Sequence, residues 1–304
     1  MIIYVNKGIT IIVKKFLKYM AAVVPFFAAE GIQIIVVNII ALFYSILLGF
    51  KLGLEAGLKG TTDVTEAGKS IGDQLVISQD ISYFISVFAI FVCGVVFFFW
   101  YRQITRWEVK GNYRKVFTRI NITYLILLGV GCQLFTTGLM NLFLQLSEKL
   151  QSNYSKVMNN IMGGNIIMVV IAAVIIAPIT EELIFRGVIL KKTSRVIPFL
   201  GANLLQAAIF GIYHRNIVQG IYGFVLGLVL GYVAYKFKTV VASIVLHMII
   251  NASSFLLTVL PNSNLVYIAL FMVGAGLMAI SLLKIKVIAA QEEAVRDSNI
   301  LPIN

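Results

Sequence analysis

The stretch from Ile81 to Tyr101 carries no charged residue. A helix needs about 20 consecutive apolar residues to cross a bilayer, so this run alone argues for a membrane span. Comparable runs recur along the chain, and one water-soluble core does not accommodate them. Backbone groups inside lipid must be satisfied internally, which leaves helices as the economical solution. The sequence therefore predicts an all-α fold, a polytopic membrane helix bundle of about eight transmembrane helices. The expected spans lie within 25–50, 81–101, 120–146, 163–190, 196–214, 217–235, 239–260 and 264–283.

Composition agrees. Charged residues make up 12% of the chain, about half of what soluble domains carry. The formal net charge is +12. In a soluble protein that balance would suggest a nucleic-acid partner. Here the basic residues gather in short loops. Arg102, Arg106, Lys110, Arg114, Lys115 and Arg119 follow the second span, and Lys191, Lys192 and Arg195 follow the fourth. Lys236 and Lys238 follow the sixth, and Lys284 and Lys286 the eighth. The 51–80 loop sets Glu55, Asp63, Glu66, Asp73 and Asp80 against Lys51, Lys59 and Lys69. Basic loops mark the cytoplasmic side, so both termini are expected in the cytoplasm of a plasma membrane, with no nucleic-acid partner. Lys7, Lys14 and Lys18 share one helical face, which suggests an amphipathic helix over 1–20 on the inner leaflet.

Cys93 and Cys132 both fall in apolar runs and read as small core residues rather than a disulfide or zinc pair. Gly223, Gly227 and Gly231 recur every four residues in span six, a stripe that lets another helix approach closely.

Ionisable residues inside spans are costly and are functional candidates by default. Here they fall in three short segments. In the first, Glu182 and Arg186 are four apart in span four and can pair on one face. Glu181 then points about 100° away round the helix. An unpaired carboxylate among apolar helices is a candidate general base. Pro178 removes a backbone hydrogen bond just before it. In the second segment, Phe210 and His214 end span five. In the third, His247 and Asn251 share a face of span seven and suit an oxyanion donor pair or a ligand with its neighbour. Each segment has a plain alternative: a helix staple for Glu182 with Arg186, an interfacial histidine, an interhelical amide.

Taken in order, Glu181-Glu182-x-x-x-Arg186, Phe210-x-x-x-His214 and His247-x-x-x-Asn251 resemble the signature of the CPBP family. These are the CAAX-protease and bacteriocin-processing (Abi) intramembrane proteases. The resemblance covers about 163–260. It implies a helical bundle around a water-filled conical cavity, and peptide-bond hydrolysis inside the membrane. It implies that Glu181 with His214 activates water and that His247 and Asn251 hold the oxyanion. Glu182 and Arg186 would support the site, and Phe210 would pack beside His214. The expected organisation is an N-terminal helix and three spans in 1–160, the CPBP core in 161–262, and a last span with tail in 263–304.

Glu181, His214 and His247 could instead hold zinc with an open position. The chain lacks the His-Glu-x-x-His helix usual for zinc proteases, and a metal-free glutamate mechanism is favoured. The expected partners are a peptide or membrane-protein substrate and the lipid bilayer. The alternative function is a non-enzymatic immunity factor or partner-binding scaffold on the same fold. A transporter with a Glu-His proton relay predicts inverted repeats, which the sequence does not display. Helix rise raises one difficulty. Glu181 and His247 sit roughly 13 Å from the inner end of their spans, and His214 roughly 20 Å even if span five starts near Gly201.

Overall fold

The computed structural model describes residues 2–58, 79–108, 113–257, 261 and 263–298, with side chains for 23–58, 80–108, 113–257, 261 and 263–294. The charges expected at Lys59, Asp63, Glu66, Lys69, Asp73 and Lys110, and the side chains of Lys7, Lys14, Lys15 and Lys18, lie outside these. Among the described residues the chain is helical and has no strand.

Nine helices organise the described chain: α1 Ile2–Leu58, α2 Gln79–Ile104, α3 Arg119–Leu144, α4 Glu148–Met162, α5 Ile166–Ser194, α6 Phe199–Tyr213, α7 Ile217–Phe237, α8 Val240–Leu256 and α9 Asn264–Ser298. Six of them (α1, α2, α3, α5, α7 and α9) contain segments long and apolar enough to cross a membrane. The expected spans five and seven correspond to the shorter apolar helices α6 and α8, of 15 and 17 residues. Eight apolar helices in all match the expected count.

Three differences from the sequence reading have physical causes. The chain from Ile2 to Leu58 is one continuous helix with Pro25 inside it, where an amphipathic segment and a separate span were expected. A proline kinks a helix without having to end it. The last helix also runs on to Ser298, past the expected end at Leu283. Its extension is tied down by Glu292 to Lys115 at 3.0 Å and Glu293 to Lys238 at 3.3 Å. Finally, α4 was not expected. Ser147 caps it by accepting from the Leu150 N–H, and Glu148 adds a negative charge to its first turn. Leu150, Tyr154, Val157 and Ile161 line its half-buried face, at helical spacing too brief for a span. Burial raises the Tyr154 pKa above its ordinary value.

Two apolar clusters form the interior. One joins α3, α7, α8 and α9 through Leu125, Leu128, Cys132, Leu226, Leu230, Leu246, Ile250 and Ile285. The other joins α1, α2, α5 and α6 through Ala29, Cys93, Phe97, Ile184, Phe185, Val188, Ile209 and Phe210. Both cysteines are free and buried. In lipid, apolar side chains gain little by meeting one another, so close packing and polar contacts must hold helices together. The glycine stripe of α7 serves that packing against α6: a Cβ at Gly231 would collide with the Asn203 carboxamide.

Candidate active site

The three motifs lie where the two apolar clusters meet. α5 carries the first, and its backbone departs from regular α geometry twice, as π-helical turns over Ala172–Ile176 and Leu183–Leu190. π-turns are frequent at functional sites. The first has an identifiable cause. Ala177 donates its N–H to the Ala172 carbonyl, five residues back. The next donor in that register would be Pro178, which has no N–H. The Ala173 carbonyl is left over, and the Asn251 side chain donates to it at 2.7 Å. Asn251 thus repairs the backbone that Pro178 interrupts, using one of its two amide hydrogens. The kink expected at Pro178 appears as this register change.

Glu182 and Arg186 pair as their spacing predicts. Arg186 Nη1 donates to Glu182 Oε1 at 2.7 Å, with both side chains fully buried. Arg186 Nη2 reaches across to the Gly227 carbonyl of α7 at 3.3 Å, and the guanidinium lies 4.4 Å from the centre of the Phe210 ring. His247 Nδ1 donates to the same Glu182 oxygen at 2.8 Å. One carboxylate therefore binds a cation on its own helix and an imidazole on α8, joining the two apolar clusters through a polar centre. Burying such a set is tolerable only when its members are paired with one another.

Glu181 points elsewhere, as the helix phase predicts. Its side chain is 15% exposed, and its Oε2 faces His247 Nε2 across 3.8 Å. That is too long for a direct hydrogen bond. His214 is reached through Phe210. Phe210 stands edge-on to both imidazoles, 4.8 Å from His214 and 6.0 Å from His247. His214 Nδ1 bonds the Phe210 carbonyl at 2.8 Å. A carbonyl only accepts, so Nδ1 carries the proton and a neutral His214 presents a bare Nε2. By helix rise His214 lies deeper than the sequence placed it, roughly 22 Å from the start of α6, and Phe210 is the side chain that touches both imidazoles. α6 starts at Phe199, so Phe210 lies roughly 16 Å along it, near His247, and His214 follows one turn later.

Two buried amides were not singled out in the sequence. Gln206 Nε2 donates to the Gly227 carbonyl and to Asn203 Oδ1, both at 2.8 Å, and Asn203 Nδ2 donates to the Leu228 carbonyl at 3.0 Å. Together with Arg186 they fasten α6 to the glycine stripe of α7. Two amides three apart in an apolar span, facing a helix of spaced glycines, were the available signal.

Zinc would need Glu181, His214 and His247 as one ligand set. Among the described residues no group of three or more His, Cys, Asp or Glu side chains is arranged to hold a metal ion. Each imidazole has its Nδ1 engaged, by Glu182 or by a backbone carbonyl, which leaves Nε2 as the nitrogen turned to the site.

The comparisons with known proteins bear on the same segment. Residues 163–253 match the family model described as Type II CAAX prenyl endopeptidase Rce1-like. Neither the curated proteins nor the solved structures gave a match. By family model as by motif, the segment that carries the site is similar to the Rce1-like type II CAAX prenyl endopeptidases, consistent with the CPBP/CAAX protease family.

Proposed function

We propose that this chain is an intramembrane endopeptidase that hydrolyses peptide bonds of peptides or membrane-associated proteins, using water activated by Glu181 and His214. The observation that carries the reading is the unequal partnering of two adjacent carboxylates. Glu182 Oε1 is bound by both Arg186 and His247, while Glu181 lies 3.8 Å from His247 Nε2, beyond direct hydrogen-bond reach.

In this mechanism a water between Glu181 and His214 Nε2 gives its proton to Glu181 and attacks the scissile carbonyl carbon. The carbonyl oxygen becomes an oxyanion. That charge is met by His247, which Glu182 orients through Nδ1, and by the second Asn251 amide hydrogen. Collapse of the intermediate breaks the C–N bond, and the proton held by Glu181 passes to the leaving amine. No metal enters this mechanism, and turnover is expected to survive a strong zinc chelator.

The family description makes a prenylated C-terminal peptide the first substrate class to try. We further propose a bacterial plasma membrane with both termini in the cytoplasm. The basic residues at helix ends support this side: Glu108 takes Lys191 at 2.6 Å and Arg195 at 2.7 Å, and Lys115 and Lys238 pair with Glu292 and Glu293 of α9.

The test is cleavage of a farnesylated CAAX-tail peptide by the purified full-length protein in liposomes. Glu181→Ala, His214→Ala and His247→Ala are compared at equal folded abundance. Loss of cleavage in all three supports the hydrolase. Unchanged cleavage, or an unchanged cellular phenotype, would leave the partner-binding scaffold as the better reading.

A further inference from the structure

The family match begins at residue 163, yet the turn that carries His214 is held by residues far upstream of it. His214 caps α6, Arg215 follows, and Asn216 opens α7 by accepting from the N–H groups of Val218 and Gln219. The turn is short, and the residue on each side of His214 is tied to α1. Gln33 Nε2 donates to the Tyr213 hydroxyl at 2.7 Å. The Arg215 guanidinium pairs with the Glu30 carboxylate. Glu30 and Gln33 are three residues apart and so share one face of their helix.

Two details say that this contact is more than helix docking. Arg215 has φ 53°, a left-handed conformation. Glycine adopts it freely and an arginine does not, so the backbone gives no reason for arginine here. The side chain gives one, because it reaches Glu30. Glu30 in turn is only 16% exposed and lies within the candidate span Val23–Leu58. Its neighbour Ala29 accepts from Cys93 Sγ. Cys93 stands eleven residues before the end of α2 at Ile104, roughly 16 Å along the helix and near the middle of a hydrocarbon core. A carboxylate at that depth needs its cation, and the cation it has is the residue following His214.

We propose that Glu30 and Gln33 are positioning residues for the hydrolysis: through Arg215 and Tyr213 the first span fixes the turn that presents His214 Nε2 to the water. The site is then completed by a helix outside the segment that carries the motifs. The effect on rate rests on the hydrolase reading, whereas the clamp itself does not.

The experiment uses the full-length protein in liposomes and a readout that needs no substrate. The chain has two histidines, so carbethoxylation by diethyl pyrocarbonate can be followed separately at His214 and His247 by mass spectrometry. Glu30→Gln and Arg215→Gly are expected to raise the modification rate of His214 several-fold and to leave that of His247 unchanged. Arg215→Gly relieves the left-handed strain but strands the Glu30 carboxylate, so it is Glu30→Gln combined with Arg215→Gly, which removes both charges, whose thermal midpoint should hold. On the farnesylated peptide both variants should lose about 10- to 100-fold in kcat at constant KM. The double reversal Glu30→Arg with Arg215→Glu should restore most of that loss.

Unchanged His214 modification in both single variants overturns the clamp. So does a kcat loss in the combined Glu30→Gln, Arg215→Gly variant that tracks a fall in thermal midpoint. If the wild-type protein fails to cleave the peptide, or Glu181→Ala cleaves it normally, the hydrolase reading falls, while the modification rates still decide the clamp.

Discussion

The first span and the α6–α7 pair are built from similar apolar residues and obey different rules. From Val23 to Leu58, α1 turns Phe27, Ile35, Leu42, Phe43 and Phe50 outward, each more than half exposed. α6 has only 15 residues, yet it buries Asn203, Gln206 and Phe210. Hydropathy says that both belong in the membrane and nothing more. Where no water drives apolar side chains together, the polar groups decide which helix sits where. A long apolar helix can lie at the edge, and a short one must be fastened.

Breaking the fastenings should separate the two regions. The largest effects fall on the adjacent carboxylates. Glu181→Ala should lower kcat/KM by about 10²–10⁴-fold with unchanged thermal stability, read by peptide cleavage and a melting curve. Glu182→Ala strands the buried Arg186 and should cost about 3–5 kcal/mol of stability, read as lost folded abundance. If the two variants behaved alike, the unequal partnering of these groups would be wrong.

Glycines sharpen the comparison next. Gly231→Ala drives a Cβ into the Asn203 carboxamide and should cost about 1–3 kcal/mol in a melting curve. In α1, by contrast, nothing lies within 4 Å of a Cβ at Gly49, and Gly49→Ala should be neutral or stabilising by up to about 1 kcal/mol. Asn251→Ala leaves the Ala173 carbonyl without its donor, at about 1 kcal/mol by the same readout.

The smallest effect lies at the basic end. Burial of Glu108 favours its neutral form, but hydrogen bonds from Lys191 and Arg195 prevail and hold its pKa below the usual carboxylate range. Its contribution is present above that usual range and fades as pH falls through the lowered native value. Glu108→Gln should therefore cost under about 1 kcal/mol near neutral pH and less in acid, read by melting curves across pH.

Much of the site was legible because helix phase is arithmetic. The i,i+4 spacing of Glu182 and Arg186 gave their pair, and the same phase turned Glu181 away from it. What was not legible depends on partners distant in sequence. Nothing local says that His247 binds Glu182, 65 residues away. The role of Asn251 at the Ala173 carbonyl emerges only once the backbone adopts a five-residue register ahead of Pro178. The ends of α1 and α9 were misplaced because hydropathy marks where a span leaves lipid, and a helix does not have to stop there. α4 was overlooked because a capped, half-apolar segment of 15 residues carries no span signal.

The shortness of α6 also bears on how the protein is made. At roughly 22 Å, α6 falls short of a hydrocarbon core of about 30 Å. Its turn to α7 is only residues 214–216, and the two helices touch where a Cβ on Gly211 would meet the Gly220 carbonyl at 2.6 Å. During synthesis α6 is therefore expected to be a poor passenger by itself and to enter the bilayer together with α7, as a hairpin. His214 sits at the bend of that hairpin, so on this route the histidine reaches its depth only once α7 has been made.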